Sequence, residues 1–288
     1  MGQGSSTVSE YTTSGATVNA ALISGLNSLN PLGLAADGGG QIFVSSAHLS
    51  PLGNIVGSYA FSGAPINRSL IAVPYSTSVT SLALDGQGHI YMADIASGTV
   101  GEYTTSGAMI NASLITGLPS PGAMAFDGLG NLYIALNISG VSSRIGKYTT
   151  SGNAVNASLI TGLYDPAGLA VDNQGHLFVS QEEIGVVSEY TTSGSTLNAS
   201  LVQGLNLPSG LALDGQGNLF VVNQGEGSVC EYTTSCDVVN ASLITGLHGL
   251  YSIAVVVPEP SATILVLAGA TVLIARRRGM RVSLRAIG

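Results

Sequence analysis

The side chains able to do chemistry are few and scattered. The 288-residue chain holds four histidines (His48, His89, His176, His248), two cysteines (Cys230, Cys236) and 16 carboxylates. A metal-dependent hydrolase or lyase needs several ligands converging on one point. Away from recurring positions the chain offers one His, one Asp and a Glu pair, spread over three sequence units. No metal or cofactor is therefore expected, and the reading is of a chain that is not an enzyme. Five aspartates, Asp37, Asp85, Asp127, Asp172 and Asp214, recur in Asp-x-x-Gly contexts. They read as turn formers, because Asp bonds its own backbone and glycine takes positive φ. His89 and His176 occupy the Asn slot of that turn and read as solvent-facing turn residues. Cys230 and Cys236 flank one turn and could form a disulfide after export or remain two thiols.

The elements that would position these groups follow from repetition, which is sought first because missing it misreads the fold. Tyr-Thr-Thr-Ser-Gly begins at Tyr11, Tyr103, Tyr148 and Tyr190, and recurs as Tyr-Thr-Thr-Ser-Cys at Tyr232 and Tyr-Ala-Phe-Ser-Gly at Tyr59. Cys236 thus replaces a glycine, and a strained turn is expected there. A second phrase, Leu-Ala-x-Asp-x-x-Gly-Asn/His-Leu-Phe/Tyr, centres on the five aspartates; a third, Asn-Ala-Ser-Leu-Ile-Thr-Gly-Leu, follows with small changes. The Asn-Ala-Ser triplets match a glycosylation sequon but read better as part of a strand.

Each unit reads as four short strands, a to d. In the fifth copy, strand a ends at Asp214, strand b is Leu219–Val222, strand c is Ser228–Thr233, and strand d is the Asn-Ala-Ser-Leu-Ile segment. Apolar runs this short are strands buried on both faces. Four strands repeating every forty-odd residues mark a β-propeller blade. The prediction is an all-β propeller of about six four-stranded blades over residues 1–257, the first and last incomplete. Gln3–Glu10 matches Gln224–Glu231, so the chain enters at strand c; Tyr251–Val257 supplies a sixth strand a. Strand b of the sixth blade is missing, and it is expected upstream of Met1 together with a signal peptide.

Composition supports this. Only 8% of residues are charged and 45% are hydrophobic, with 39 glycines and no tryptophan. Coiled coils, long helical bundles and charged disordered tails are excluded. A net charge of −8 with eight Lys plus Arg excludes a basic-patch nucleic-acid binder. Residues 1–258 carry 15 acidic and three basic side chains, a net of −12, whereas 259–288 carry Glu259 and five arginines, a net of +4. An acidic body bears a basic tail.

The phrase Gly-Leu-Ala-x-Asp-x-x-Gly-Asn-Leu-Phe-Val, followed by a loop and Val-x-Glu-Tyr, resembles the NHL-repeat β-propellers. That resemblance implies the fold more firmly than a function, since propellers host binders, scaffolds and enzymes alike.

Val257-Pro258-Glu259-Pro260-Ser261 precedes an uninterrupted apolar or small run, 262–275, and then Arg276-Arg277-Arg278. As a helix, 261–275 would span roughly 22 Å at about 1.5 Å per residue, short of a comfortable bilayer crossing. Arginines following it would hold that end in the cytoplasm. Pro258, Glu259 and Pro260, the apolar run as a membrane helix, and Arg276, Arg277 and Arg278 resemble a PEP-CTERM sorting signal spanning 258–279, with 280–288 a basic tail longer than the pattern. The resemblance implies a Gram-negative bacterium, membrane anchoring, processing by an exosortase, and release to the cell surface or an extracellular polysaccharide (biofilm) matrix.

In a propeller the b–c and d–a loops share one face. Here they carry His48, Asp94, Asn137, Gln181-Glu182-Glu183, Asn223-Gln224 and Glu226, then Tyr75, Tyr164-Asp165 and His248. These loops differ from unit to unit while the opposite turns are nearly copied. A binding face would vary in this way, and so would loops under neutral drift. The candidate binding residues are His48, Asp94, Asn137, Tyr164, Glu182, Asn223 and His248. The expected function is an exported structural or interaction module, with polysaccharide or a surface protein as partner. The alternative is a periplasmic or extracellular propeller resembling streptogramin lyases or gluconolactonase-like hydrolases.

Overall fold

The computed structural model describes residues 7–26, 31–47, 54–73, 78–138, 143–247 and 249–256, and the backbone of 262–269 and 274–277. The chain opens with β1 (Thr7–Tyr11) and β2 (Thr17–Ile23). Five four-stranded blades follow. Blade 1 is β3 (Pro31–Ala36), β4 (Gln41–Ala47), β5 (Asn54–Ala60) and β6 (Pro65–Val73). Blade 2 is β7 (Val79–Leu84), β8 (His89–Asp94), β9 (Thr99–Thr104) and β10 (Met109–Ile115). Blade 3 is β11 (Pro121–Phe126), β12 (Asn131–Leu136), β13 (Ser143–Thr149) and β14 (Ala154–Leu163). Blade 4 is β15 (Pro166–Val171), β16 (His176–Gln181), β17 (Val186–Thr191) and β18 (Thr196–Val202). Blade 5 is β19 (Pro208–Leu213), β20 (Asn218–Asn223), β21 (Ser228–Thr233) and β22 (Val238–Ile244). Last come β23 (Leu250–Val256), β24 (Ala262–Gly269) and β25 (Ile274–Arg277). Within each blade, consecutive strands pair antiparallel in order a-b-c-d.

Two expectations are corrected. The four-stranded blades number five rather than about six; in place of an incomplete sixth, the sheet joining blade 5 to blade 1 is five-stranded, in the order β2-β1-β25-β24-β23. The apolar C-terminal run is not a helix: its backbone forms β24 and β25. Among the described residues no helix is long and apolar enough to cross a membrane. The physical reason is edge pairing: β1 and β23 both present backbone N–H and C=O groups, and the extended β24 pairs with both.

The inner strands close a ring, with β23 neighbouring both β19 and β3. Hydrophobic clusters bridge successive blades. Phe43 of β4 packs with Ile90 and Met92 of β8, and Phe178 of β16 with Leu219 and Val221 of β20. The closing sheet is knitted in on both sides, Val8 against Ile42 and Val44 and Ile253 against Phe220. Strand b is the most deeply buried element; Phe43, Tyr91, Tyr133, Phe178 and Phe220 are all fully buried.

The repeated phrases now have mechanical roles. In the a–b turn Asp127 Oδ1 accepts the N–H groups of Leu129 (3.0 Å) and Asn131 (2.8 Å), while Oδ2 accepts Asn131 Nδ2 (2.8 Å). In blades 2 and 4 a histidine takes the asparagine's place, His89 Nδ1 lying 2.7 Å from Asp85 Oδ2 and His176 Nδ1 2.8 Å from Asp172 Oδ2. Burial opposes ionisation of Asp127, but these N–H donors and the Tyr133 hydroxyl outweigh it and hold the carboxyl below the usual carboxylate range. The single Tyr133 hydroxyl hydrogen is shared between Asp127 Oδ2 (3.1 Å) and Thr192 O of blade 4 (3.2 Å), so the turn latches one blade to the next.

In the outermost strand, the asparagine of Asn-Ala-Ser turns its Oδ1 onto the backbone N–H two residues on. The distances are 3.0 Å for Asn156 to Ser158 and 3.1 Å for Asn198 to Ser200. A β-bulge accompanies it, as between Val187 and Glu189 in the β17–β18 register. The c–d turn glycine is held by sterics: Gly194 has φ +95°, and a Cβ there would lie 2.6 Å from Leu159 O of the preceding blade. Cys236, in the equivalent place, adopts φ +71° with a side chain attached, the strain expected from the sequence.

Candidate functional site

The a–b and c–d turns lie on one face and the b–c and d–a loops on the other. On the loop face the inner strands open into a cavity of about 560 Å³. Its rim is built by one geometry repeated three times. A residue just before the proline that opens strand a takes positive φ: Ser120 (+41°), Asp165 (+49°) and Leu207 (+51°). That turns its carbonyl toward the first residue after strand b. Ser120 O accepts Asn137 N–H at 3.2 Å, Asp165 O accepts Glu182 N–H at 3.0 Å, and Leu207 O accepts Gln224 N–H at 3.2 Å. Positive φ at a non-glycine costs about 1 kcal/mol or more, and such strain concentrates where a loop must present a group. Asn137, Glu182 and Gln224, with Ile95 from blade 2, therefore stand at equivalent places around the mouth.

The polar side chains cluster between blades 3 and 4. Asn137 Nδ2 donates to Asp165 Oδ1 at 2.9 Å. Asn137 Oδ1 and Ser209 Oγ, both on residues lining the cavity, are buried without a hydrogen-bond partner among the described residues. Burial, and then repulsion from Asp165, push the Glu182 carboxyl above its usual range. Tyr251 lines the same cavity with 37% of its surface exposed. No Lys, Arg or His lines it among the described residues, so the mouth is polar to acidic. Such a mouth accepts hydroxyl and N–H donors and repels anions.

The residues singled out from the sequence separate by a single position. Asn137 and Glu182 line the mouth. Asp94 and Asn223, each one residue earlier in its unit, end strand b and clip the d–a loop. Asp94 Oδ1 accepts Ser78 N–H (2.7 Å) and Ala96 N–H (3.0 Å), and Asn223 Oδ1 accepts Asn206 N–H (2.7 Å). Gln181 does the same in blade 4, accepting Tyr164 N–H at 3.0 Å. Tyr164 is exposed beside the rim and outside the cavity lining. His48 and His248 lie outside the described residues, as do Tyr75, Pro258, Glu259, Pro260 and Arg278; Arg276 and Arg277 fall in β25. Sequence reasoning missed Ser120, Ser209 and Tyr251. The signal was the x-Pro step opening strand a in Ser120-Pro121 and Leu207-Pro208. Among the described residues no group of three or more His, Cys, Asp or Glu could hold a metal ion.

No family model matches the chain, and no curated protein matches it. Solved structures do. A gluconolactonase from Xanthomonas campestris superposes with a TM-score of 0.67 at 13% identity, covering 87% of this chain and 86% of that one. The PQQ-bound aldose sugar dehydrogenase of Streptomyces coelicolor gives 0.67 at 17% identity, over 88% and 96%. Virginiamycin B lyase from Staphylococcus aureus gives 0.60 at 17% identity, over 82% and 77%. These neighbours are enzymes, so the expectation that the chain is not an enzyme is withdrawn. What the likeness shows is the scaffold: the chain folds as a β-propeller of the kind these proteins share.

Proposed function

We propose that the chain is an exported, NHL-type propeller module that binds a neutral, hydroxyl-rich ligand of the saccharide class at the mouth of its channel. The observation that carries the reading is the pair Asn137 and Glu182 on the lining of a 560 Å³ cavity, with Asp165 bonded to the Asn137 amide beside it. A saccharide hydroxyl would hydrogen-bond the Glu182 carboxyl, and Tyr251 offers a ring on which a sugar face can stack. Among the described residues no Lys, Arg or His lines the cavity, which favours neutral over anionic sugars. Two of the structural neighbours, the gluconolactonase and the aldose sugar dehydrogenase, are named for sugar-derived substrates, which supports the ligand class. Pro258-Glu259-Pro260 and Arg276–Arg278 support sorting through an exosortase to the cell surface or a polysaccharide matrix.

The test is a glycan array with the purified protein, followed by calorimetry of any hit with Asn137→Ala and Glu182→Gln. Loss of at least tenfold in affinity in both variants supports the site. Binding that survives both, or no glycan bound at all, refutes it. Sorting is tested separately, by mass spectrometry of the protein from hosts with and without an exosortase. Loss of everything after 258–260 only when the exosortase is present supports it, and an intact C-terminus in both hosts removes it.

A second reading rests on Glu182. A carboxyl whose pKa is raised, first by burial and then by the Asp165 charge, is a candidate for general acid–base work, and the scaffold is shared with hydrolytic and lyase enzymes. Turnover of a lactone or glycosidic ligand that is abolished by Glu182→Gln while binding persists would establish it.

A further inference from the structure

The apolar run near the C-terminus occupies a place that the repeat defines. In blade 5, Ala212 pairs with Phe220 and Phe220 with Glu231; on either side, Leu211 pairs with Val221 and Val221 with Cys230. In the closing sheet, Ala254 pairs with Val266 and Val266 with Glu10, while Ile253 pairs with Leu267 and Leu267 with Ser9. Glu10 and Ser9 are the repeat equivalents of Glu231 and Cys230, and Ala254 and Ile253 those of Ala212 and Leu211. The segment Leu265-Val266-Leu267-Ala268 therefore stands in register where Leu219-Phe220-Val221-Val222 stands in blade 5. Blade 4 repeats the pattern, Ala170 with Phe178 and Phe178 with Glu189.

We infer that residues 262–269 are strand b of the closing blade, a strand-complementation site filled by the chain's own tail, and that the tail is an integral part of the disc. Two features set this blade apart. Its a–b connection carries Pro258-Glu259-Pro260 in place of the Asp-x-x-Gly-Asn turn. Its strand c pairs with only half of strand b: β1 faces 266–269, and β25 covers 262–265 from the same side. The complete blades pair b with c over six residues or more, as from Asn218 to Asn223. The closing blade is thus the seam of the ring. It holds the shortest b–c ladder, and its b strand is the one joined to strand a through the segment that the sorting reading marks for cleavage. The inference is independent of the ligand reading and competes with the sorting reading, because cleavage at 258–260 would remove this strand.

Engineered disulfides in the full-length chain test the register. Cys230→Ser and Cys236→Gly, which restore the residues found at equivalent repeats, provide a background without thiols. Glu10→Cys with Val266→Cys places directly opposed residues on one face of a pair, within disulfide reach. Glu10→Cys with Leu265→Cys places the second thiol on the other face. Mild oxidation is expected to cross-link most of the first variant within one chain, and several-fold less of the second. Equal cross-linking in both, none in either, or cross-links found only between chains would overturn the inference. Should either pair fold poorly, Val266→Pro in the full chain removes a ladder donor. It is expected to lower the melting temperature by about 5 °C, whereas Val282→Pro in the tail leaves it unchanged. Equal melting temperatures for the two proline variants would also overturn it.

Discussion

The contact between Gly194 and the carbonyl of Leu159 gives the sharpest test of how the blades are held together. Replacing Gly194 by Ala puts a Cβ 2.6 Å from that oxygen at φ +95°. Positive φ with a side chain costs about 1–2 kcal/mol, and separating the overlapping atoms by shifting a packed turn costs about 1–3 kcal/mol. The smaller unfolded-state entropy of Ala offsets about 0.7 kcal/mol of this. The net expectation is a loss of about 1–4 kcal/mol, read as a melting temperature lower by roughly 3–15 °C for a domain of this size. Cys236→Gly runs the argument in reverse. Relief of the strain at φ +71°, less the glycine entropy term, amounts to about 0.5–1 kcal/mol and an increase of about 2–3 °C. Both are measured by differential scanning calorimetry with a reductant present. If Gly194→Ala melts within 1 °C of the parent, or Cys236→Gly melts lower, the claim that this turn is set by the neighbouring blade's carbonyl is wrong.

Further outcomes follow from the described geometry. Glu182 has a raised pKa in the folded state, so the unfolded chain ionises first, near the ordinary value of 4.5, and the native state loses stability as pH climbs past that value. Glu182→Gln should therefore melt higher than the parent at pH 7, with the gap closing below about pH 4 in a thermal melt series; a gap that widens on acidification would contradict this. Asp127 is the opposite case: its lowered carboxyl stabilises the fold above the ordinary carboxylate range, and that contribution disappears as pH falls through the folded value. Acid titration of Asp127→Asn should show a shallower fall in stability than the parent. Tyr133→Phe removes the one hydroxyl hydrogen shared between Asp127 Oδ2 (3.1 Å) and Thr192 O (3.2 Å) and should cost about 1–3 kcal/mol in urea unfolding. Cys236 is exposed and Cys230 is buried, with burial raising its thiol pKa, so a disulfide reagent should titrate one thiol in the native state and two in denaturant.

The repeat made most of the fold legible before any coordinates. Asp127 and Asp214 could be assigned to turns because Asp and Gly at that spacing have one conformational use, and the structure places them there. The rim was legible to within one residue. Asp94 and Asn223 carry the polar atoms a binding face would want, but strand alternation and the loop clip take them inward, leaving the next position facing the cavity. Nothing in a linear pattern marks that one-residue difference, because it depends on where the d–a loop presses down. The closing sheet was misread for a different reason. Residues 264–268, Ile-Leu-Val-Leu-Ala, carry the apolar character of strand b, yet lack the flanking Asp-x-x-Gly-Asn turn and are followed by arginines. A run of that kind is scored as a membrane helix when its partner strands, Thr7–Tyr11 and Leu250–Val256, lie at opposite ends of the chain.

The asparagine that folds back onto the outermost strand of each unit has a consequence for how these discs behave at high concentration. A propeller's circumference is a set of free sheet margins, each able to recruit a strand from another molecule and start a fibril. Asn19, Asn67, Asn111, Asn156, Asn198 and Asn240 each occupy the backbone N–H two residues ahead, a donor an incoming strand would need. The accompanying bulges bend those margins out of register with any straight partner. Molecules packed rim to rim in a dense layer can therefore touch without zippering, and a mutation at one of these asparagines would show first as aggregation on storage and only later as a lower melting temperature.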